Sequence, residues 1–281
     1  MFDIRFFTLI RQTRNSQLVT SNLVNNIVFA HSNGFTAKTY RYFLEQLAPN
    51  NITTFDNIGM NTEWAKWKDF APQLIRQIEE NHDEPVVGLG HSLGAAVTFF
   101  AAEMRPDLFS KVILIEPPIF SFRKRLFIWL FTQIGIADRF SPAGAALRRR
   151  DFFENREMAY KGLRHKGIFK RFDENCFQDY IDYGFKATEN GVTLNYPKAL
   201  EAKVFSNPPF FFKNPKLEMP VHFIYSKFYK TLDRKDITWW KKTFSCIKFH
   251  EFDGGHMFPL EKPKETAKFL QELIENEAFE L

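Results

Sequence analysis

A serine framed by glycines, Gly90-His91-Ser92-Leu93-Gly94, is the sharpest chemical signal in this chain. It falls between an apolar run ending at Leu89 and a small-residue helical stretch starting at Leu93. In that strand–turn–helix setting a G-x-S-x-G serine stands exposed above a sheet as a nucleophile. The turn forces the serine into a strained backbone, and the flanking glycines let strand and helix approach. A serine hydroxyl is a poor nucleophile until a base takes its proton. The best base is His256, in Asp253-Gly254-Gly255-His256-Met257-Phe258-Pro259, just beyond the last expected strand. The paired glycines predict a mobile, open loop that can carry the imidazole over Ser92. His91, in the middle of the turn, is expected to point away from the serine, and His31 to brace the loop after its own strand. A serine nucleophile with a histidine base is the chemistry of acyl transfer.

Regular elements must bring these two residues together. Asn26–His31, Asn51–Asp56, Pro85–Leu89 and Lys111–Ile115 read as short buried strands. Between them, Lys38–Leu47, Asp69–Glu80 and Leu93–Met104 have helical spacing. Alternation of this kind predicts a mostly parallel central sheet with helices on both faces, an α/β fold. Pro117-Pro118 interrupts it, and the next hundred or so residues are helical, basic and rich in phenylalanine. The alternation resumes near Met219 with strands at Val221–Tyr225 and Ile247–Phe252, a helix closing over Trp239–Thr243, and a last helix over Glu265–Glu277. The expected organisation is an α/β core over residues 1–116 and 217–281, interrupted by an inserted helical cap over 117–216. No internal repeat is visible.

With 281 residues, 44% hydrophobic and 25% charged, the chain can bury a sizeable core, which excludes disordered and collagen-like classes. Cys176 and Cys246 are the only cysteines, so no disulfide framework exists and a reducing, cytoplasmic setting is expected. Met1-Phe2-Asp3-Ile4-Arg5 does not open like a secretory signal. Between Pro117 and Pro215 lie 17 basic and 10 acidic residues, leaving 21 and 23 elsewhere, so the excess positive charge sits in the insertion. Such a segment suits either anionic surfaces and substrates or plain solvation. Acids interleave with the bases and no recognition motif accompanies them, so nucleic acid is not an expected partner. No metal cluster, phosphate loop or nucleotide fingerprint is present, and no cofactor is expected.

Around the serine and histidine the chain resembles the α/β-hydrolase family, in the branch with a helical cap inserted after the sixth strand. The resemblance spans nearly the whole chain. His31-Ser32-Asn33-Gly34-Phe35 is similar to that family's oxyanion loop, with Ser32 where glycine is common. Phe55-Asp56-Asn57-Ile58-Gly59 is similar to its strand-four turn, Gly90 to Gly94 to its nucleophile elbow, and Gly255-His256 to its histidine loop. The family usually places an aspartate shortly after the strand written here as Val221–Tyr225. Ser226-Lys227-Phe228-Tyr229 follows instead, with no carboxylate. Glu116 offers another source of the acid. It ends the strand after the nucleophile helix, 24 residues past Ser92, a strand end from which some haloalkane dehalogenases of this fold draw their acid. Asp233, Asp236 and Asp253 are the alternatives, and Glu116 could instead pair with a cap arginine. The oxyanion needs two N–H donors: Leu93, after the nucleophile at a helix N-terminus, and Asn33, with Gly34 as its alternative.

The expected activity is cofactor-free hydrolysis of a carboxylic ester or thioester with an apolar acyl group, through Ser92, His256 and Glu116. Serine at position 92 disfavours aspartate-nucleophile chemistry. C–C bond hydrolysis or acyl transfer by the same residues, and a ligand-binding or membrane-docking protein without turnover, are the competing readings. Most of the insertion's aromatics (Phe120, Phe122, Phe127, Trp129, Phe131, Phe140, Phe152, Phe153, Phe169, Phe172, Phe177, Phe185, Phe205 and Phe210 to Phe212) should form the cap's own core. Some are expected to line an acyl pocket above Ser92. Leu126–Ile136, after Arg123-Lys124-Arg125, is too short to cross a bilayer. It can serve as a buried lid helix or as a peripheral membrane contact.

Overall fold

Along the central strands consecutive side chains go to opposite faces, and both faces are apolar. In β1 (Asn26–Ala30), Val28 and Ala30 pack on one side and Ile27 and Phe29 on the other. β4 (Phe109–Ile115) divides Val112 and Leu114 from Ile113 and Ile115 in the same way. Strands buried on both faces belong to a parallel sheet covered by helices. The computed structural model describes residues 24–56, 58–60, 63–134, 141–210, 217–229 and 231–275, and it contains that sheet. β1 and β4 are joined by β2 (Asn51–Phe55), β3 (Val86–His91), β8 (Val221–Ser226) and β9 (Ile247–Phe252) in the order β2-β1-β3-β4-β8-β9, with every pair parallel.

One face of the sheet is covered by α2 (Ala71–Asn81), α3 (Leu93–Met104) and α9 (Arg234–Thr243), through Leu74, Val97 and Trp240 among others. The other is covered by α1 (Arg41–Glu45) and α11 (Pro263–Glu275), which follows the short α10 (Phe258–Glu261), through Phe43 and Leu270, and α7 (Glu174–Tyr183) packs against α1 and the turn before it. The chain moves outward from β1 to β2, then returns to place β3 on the other side of β1. That reversal opens a crevice at the carboxyl ends of β1 and β3, where ligands bind in open α/β sheets.

Between β4 and β8 lie α4 (Phe122–Gln133), α5 (Ala143–Arg148), α6 (Arg156–Leu163), α7 and α8 (Lys198–Ser206). The same segment adds a feature that its helical, aromatic composition did not suggest. β5 (Phe152–Phe153), β6 (Phe185–Thr188) and β7 (Gly191–Leu194) form a small antiparallel sheet in the order β5-β7-β6. α7 is tied to the core by Asp179, whose carboxylate accepts from Arg41 Nη2 at 2.7 Å and from the Tyr42 backbone N–H at 2.6 Å. Phe140, Phe211, Phe212, Asn57, Met1 to Arg5 and the ends of the expected Leu126–Ile136 and Glu265–Glu277 runs lie outside the described residues.

Two helices expected from spacing begin as a turn of 3₁₀ helix: Ala37–Tyr40 precedes α1, and Trp67–Phe70 precedes α2. β3 runs two residues past Leu89 because Gly90 and His91 still pair with Leu114 and Ile115 of β4. After Arg123-Lys124-Arg125, α4 carries apolar side chains on more than one face, with Phe127, Trp129 and Leu130 exposed, as is Phe122 before them. Among the described residues no helix is long and apolar enough to cross a membrane.

Candidate active site

Ser92 joins β3 to α3 at φ 54° and ψ −116°, a left-handed conformation costly for a residue with a side chain. The structure holds it there through its backbone. The Ser92 N–H donates to Ile115 O at 2.8 Å, and two residues on Gly94 N–H donates to His31 O at 3.0 Å. A Cβ at Gly94 would overlap the Ala30 carbonyl, so only glycine allows α3 to lie this close to the end of β1. The elbow and the His31–Gly34 loop are thus fixed to each other. His31 itself braces that loop: Nδ1–H donates to Ser32 O at 2.9 Å, and Nε2 faces the Ile58 N–H at 3.4 Å.

His256 follows β9 and stands over the serine. Its Nε2 lies 3.1 Å from Ser92 Oγ and its Nδ1 3.0 Å from Glu116 Oε2. A carboxylate can only accept, so Nδ1 carries the proton and Nε2 is left to accept from the hydroxyl. Glu116, buried at the end of β4, also sits at positive φ, 51°. Its own N–H donates to Ile224 O at 2.9 Å, and its Oε1 accepts from the Ser226 N–H at 2.7 Å. Both carboxylate oxygens therefore have a partner, and neither partner is a cap arginine.

The other candidate acids lie elsewhere. Asp233 is the N-cap of α9, accepting from the N–H groups of Lys235 at 2.8 Å and Asp236 at 3.0 Å. Asp236 is fully buried and accepts from the Ser121 N–H and from Lys124 Nζ, each at 2.8 Å. Asp253 pairs with Lys227 Nζ at 2.8 Å.

The Gly254-Gly255 lead-in was expected to be mobile; the structure pins it instead. Ser226 Oγ donates to Gly254 O at 2.5 Å, and Gly255 N–H donates to Glu261 Oε2 at 3.0 Å. A Cβ at Gly254 would overlap that of Phe258, so glycine serves close packing here rather than motion. His91 points away from Ser92, as a middle residue of the elbow should, and it also supports the base. Its Nε2–H donates to the His256 carbonyl at 2.9 Å, which leaves Nδ1 to accept from Tyr40 Oη at 2.7 Å. Burial, followed by the neighbouring His256, pushes the His91 pKa down to about 3, so the ring is neutral at ordinary pH. Sequence reasoning missed this support, and it missed Ser226. Position of Ser226 at the end of β8, next to β4 and β9 in the sheet, was the available signal.

Leu93 is the first residue of α3, where an N–H has no intrahelical acceptor and the helix dipole favours negative charge. Asn33 lines the same cavity, but its side chain is committed: Nδ2 donates to the Glu201 carbonyl of α8 at 3.0 Å. With one side-chain donor spent on α8, its backbone N–H is the group placed to serve an oxyanion. Above these groups opens a cavity of about 590 Å³, whose wall includes Ser92, Trp67, Phe120, Phe131, Phe205 and Met257.

A model of the alpha/beta hydrolase family matches residues 27–269. Among curated proteins, a type I acyl-CoA thioesterase from Penicillium roqueforti (strain FM164) is 25% identical over 138 residues, 49% of this chain and 30% of that protein. A probable esterase from Oryza sativa subsp. japonica is 25% identical over 118 residues, 38% of this chain and 44% of that protein. The chain spans less than half the length of either. Among solved structures, a peroxisomal alpha-beta-hydrolase from Saccharomyces cerevisiae superposes with a TM-score of 0.68 at 19% identity, covering 89% of this chain and 76% of that one. With the family model matched from β1 into α11, the chain belongs to the alpha/beta hydrolase family.

Proposed function

We propose that this protein is a serine hydrolase that cleaves a carboxylic ester or thioester carrying an apolar acyl group. The observation that carries the reading is the unbroken chain from Ser92 Oγ to His256 Nε2 at 3.1 Å and from His256 Nδ1 to Glu116 Oε2 at 3.0 Å, beneath a largely apolar cavity. Its similarity to the acyl-CoA thioesterase of Penicillium roqueforti and the probable esterase of Oryza sativa supports it.

Ser92 Oγ attacks the acyl carbonyl while His256 Nε2 takes its proton, and Glu116 holds the ring in the accepting tautomer and faces the imidazolium that forms. The backbone N–H groups of Leu93 and Asn33 receive the oxyanion. The imidazolium then gives its proton to the departing alcohol or thiol, and water, activated by the same histidine, releases the acid. Phe120, Phe127, Phe131 and Phe205 line the space an acyl chain would fill.

The test is covalent labelling. Wild-type protein should react with a fluorophosphonate probe at Ser92 and turn over acyl esters, and a folded Ser92→Ala variant should do neither. A folded wild type that is unlabelled at Ser92 and silent on esters would leave the chain a ligand-binding protein.

A further inference from the structure

The cavity above Ser92 does not end at its aromatic wall. Pro142, Ile168, Glu201 and Phe205 also line a second cavity, of about 460 Å³. Charge separates the two: Arg149, Arg150 and Lys166 line the second, and Glu201 is its one carboxylate. Arg149 Nη1 lies 2.9 Å from Glu201 Oε2, a charge contact not aligned as a hydrogen bond. The Nε and Nη2 of Arg149 are buried and, among the described residues, have no hydrogen-bond partner. Buried donors left this way are costly, and a polar occupant is a usual reason for them. Arg150 stacks over Phe153 with its guanidinium 4.3 Å from the ring centre and donates Nε to Phe152 O at 2.8 Å. That stacking presents a planar cation already held in place. Among the described residues neither Arg150 nor Lys166 has a carboxylate within ion-pair distance, whereas Lys161, Arg164, Arg171 and Lys198 of the same insertion each do.

Taking Ser92 as the nucleophile, we propose that this second cavity receives a phosphate-bearing leaving group, so that the substrate joins an apolar acyl chain to a phosphorylated alcohol or thiol. The two cavities then match the two halves of one molecule. The acyl chain lies among the phenylalanines, the scissile bond over Ser92, and the phosphate oxygens face Arg150 and Lys166, two cations without a carboxylate partner among the described residues. Guanidinium groups suit phosphate oxygens in particular, since their paired donors match the oxygens' spacing. The excess of basic residues between Pro117 and Pro215 supplies the longer-range attraction.

The experiment uses two matched ester pairs with one acyl chain: the coenzyme A thioester against the N-acetylcysteamine thioester, and 1-acylglycerol 3-phosphate against the monoacylglycerol. The phosphorylated member of at least one pair should have the higher kcat/KM, mainly through KM, and the margin should shrink as salt is raised. The pair that shows it identifies the source as a nucleotide thioester or a glycerol phosphate ester. In the double variant Arg150→Glu/Lys166→Glu the ratio of the two kcat/KM values should fall about 10- to 100-fold, the range set by charged hydrogen bonds. Absence of a preference in both pairs, or a ratio unmoved by the double variant, overturns the proposal. If no ester is turned over, calorimetric binding of the coenzyme A thioester and of the acylglycerol phosphate to the Ser92→Ala protein decides the matter separately from hydrolysis. Binding that charge reversal abolishes upholds the cavity's role, and no binding overturns it.

Discussion

Replacing Glu116 by glutamine changes two atoms' chemistry while keeping their shape, and the structure dictates how the amide must settle. Oε1 of Glu116 faces the Ser226 N–H at 2.7 Å, a donor that accepts only an oxygen opposite it. The glutamine carbonyl therefore takes that place, and its NH₂ group turns toward His256 Nδ1, now 3.0 Å from a donor instead of an acceptor. The imidazole answers by moving its proton to Nε2, where it points at Ser92 Oγ and can no longer receive the hydroxyl proton. A carboxylate-to-amide change that fixes the wrong tautomer in a serine–histidine site costs about 10⁴-fold in kcat, or about 5.4 kcal/mol of barrier. The Ser226 bond survives, so the thermal midpoint should move little. The assay is kcat on a chromogenic acyl ester beside a melting curve, with Asp233→Asn as the control. Asparagine caps a helix as well as aspartate, so that variant should stay within about twofold of wild type in kcat. A Glu116→Gln enzyme retaining more than about a tenth of wild-type kcat, far above the loss expected, or a severe defect in Asp233→Asn, would refute the reasoning.

Further outcomes follow from the same contacts. His91 is held neutral by burial with its pKa at about 3, while an unfolded histidine titrates near 6.5. The unfolded chain therefore binds the extra proton as pH falls, and from pH 7 to pH 5 His91 alone should remove about 2 kcal/mol of stability. Denaturant titrations at both pH values check this, and His91→Gln should flatten the slope. Across a graded series of acyl esters, kcat/KM should rise with chain length until the cavity of about 590 Å³ is filled; a best rate on acetyl esters would remove the acyl-pocket assignment.

How much of this was legible beforehand depends on whether the information was local. The strands and helices around Ser92 are written as short apolar runs and helical spacing, and α3 and β9 begin and end where the spacing placed them. The elbow was readable because two close backbone approaches demand glycine at fixed offsets from one serine. The partner of His256 was only partly readable. Strand order alone brings the ends of β3, β4, β8 and β9 together, and several acids follow those strands in the chain. What selects Glu116 is its positive φ and the Ser226 N–H, neither of which leaves a mark in composition. The small β5-β7-β6 sheet escaped because its strands are two to four residues long and embedded among helical, aromatic segments. The loop before His256 was misjudged for a related reason: two glycines look the same in a sequence whether they free a backbone or let Phe258 pack against it.

The hydrogen bond from Asn33 Nδ2 to the Glu201 carbonyl crosses from the loop after β1 to a helix of the insertion. That bond, with the Arg171–Glu261 pair beside the His256 loop, makes the cap part of the scaffold of the reacting centre rather than a roof laid over it. In this chain a foreign cap would have to present a carbonyl at the same place, or the side chain of Asn33 would be released beside the serine it helps to surround. The unit that can be exchanged here without disturbing the chemistry is therefore smaller than the insertion: it leaves out α8, α7, whose Asp179 is held by Arg41 and Tyr42, and Arg171, whose partner Glu261 pins the Gly255 N–H before His256.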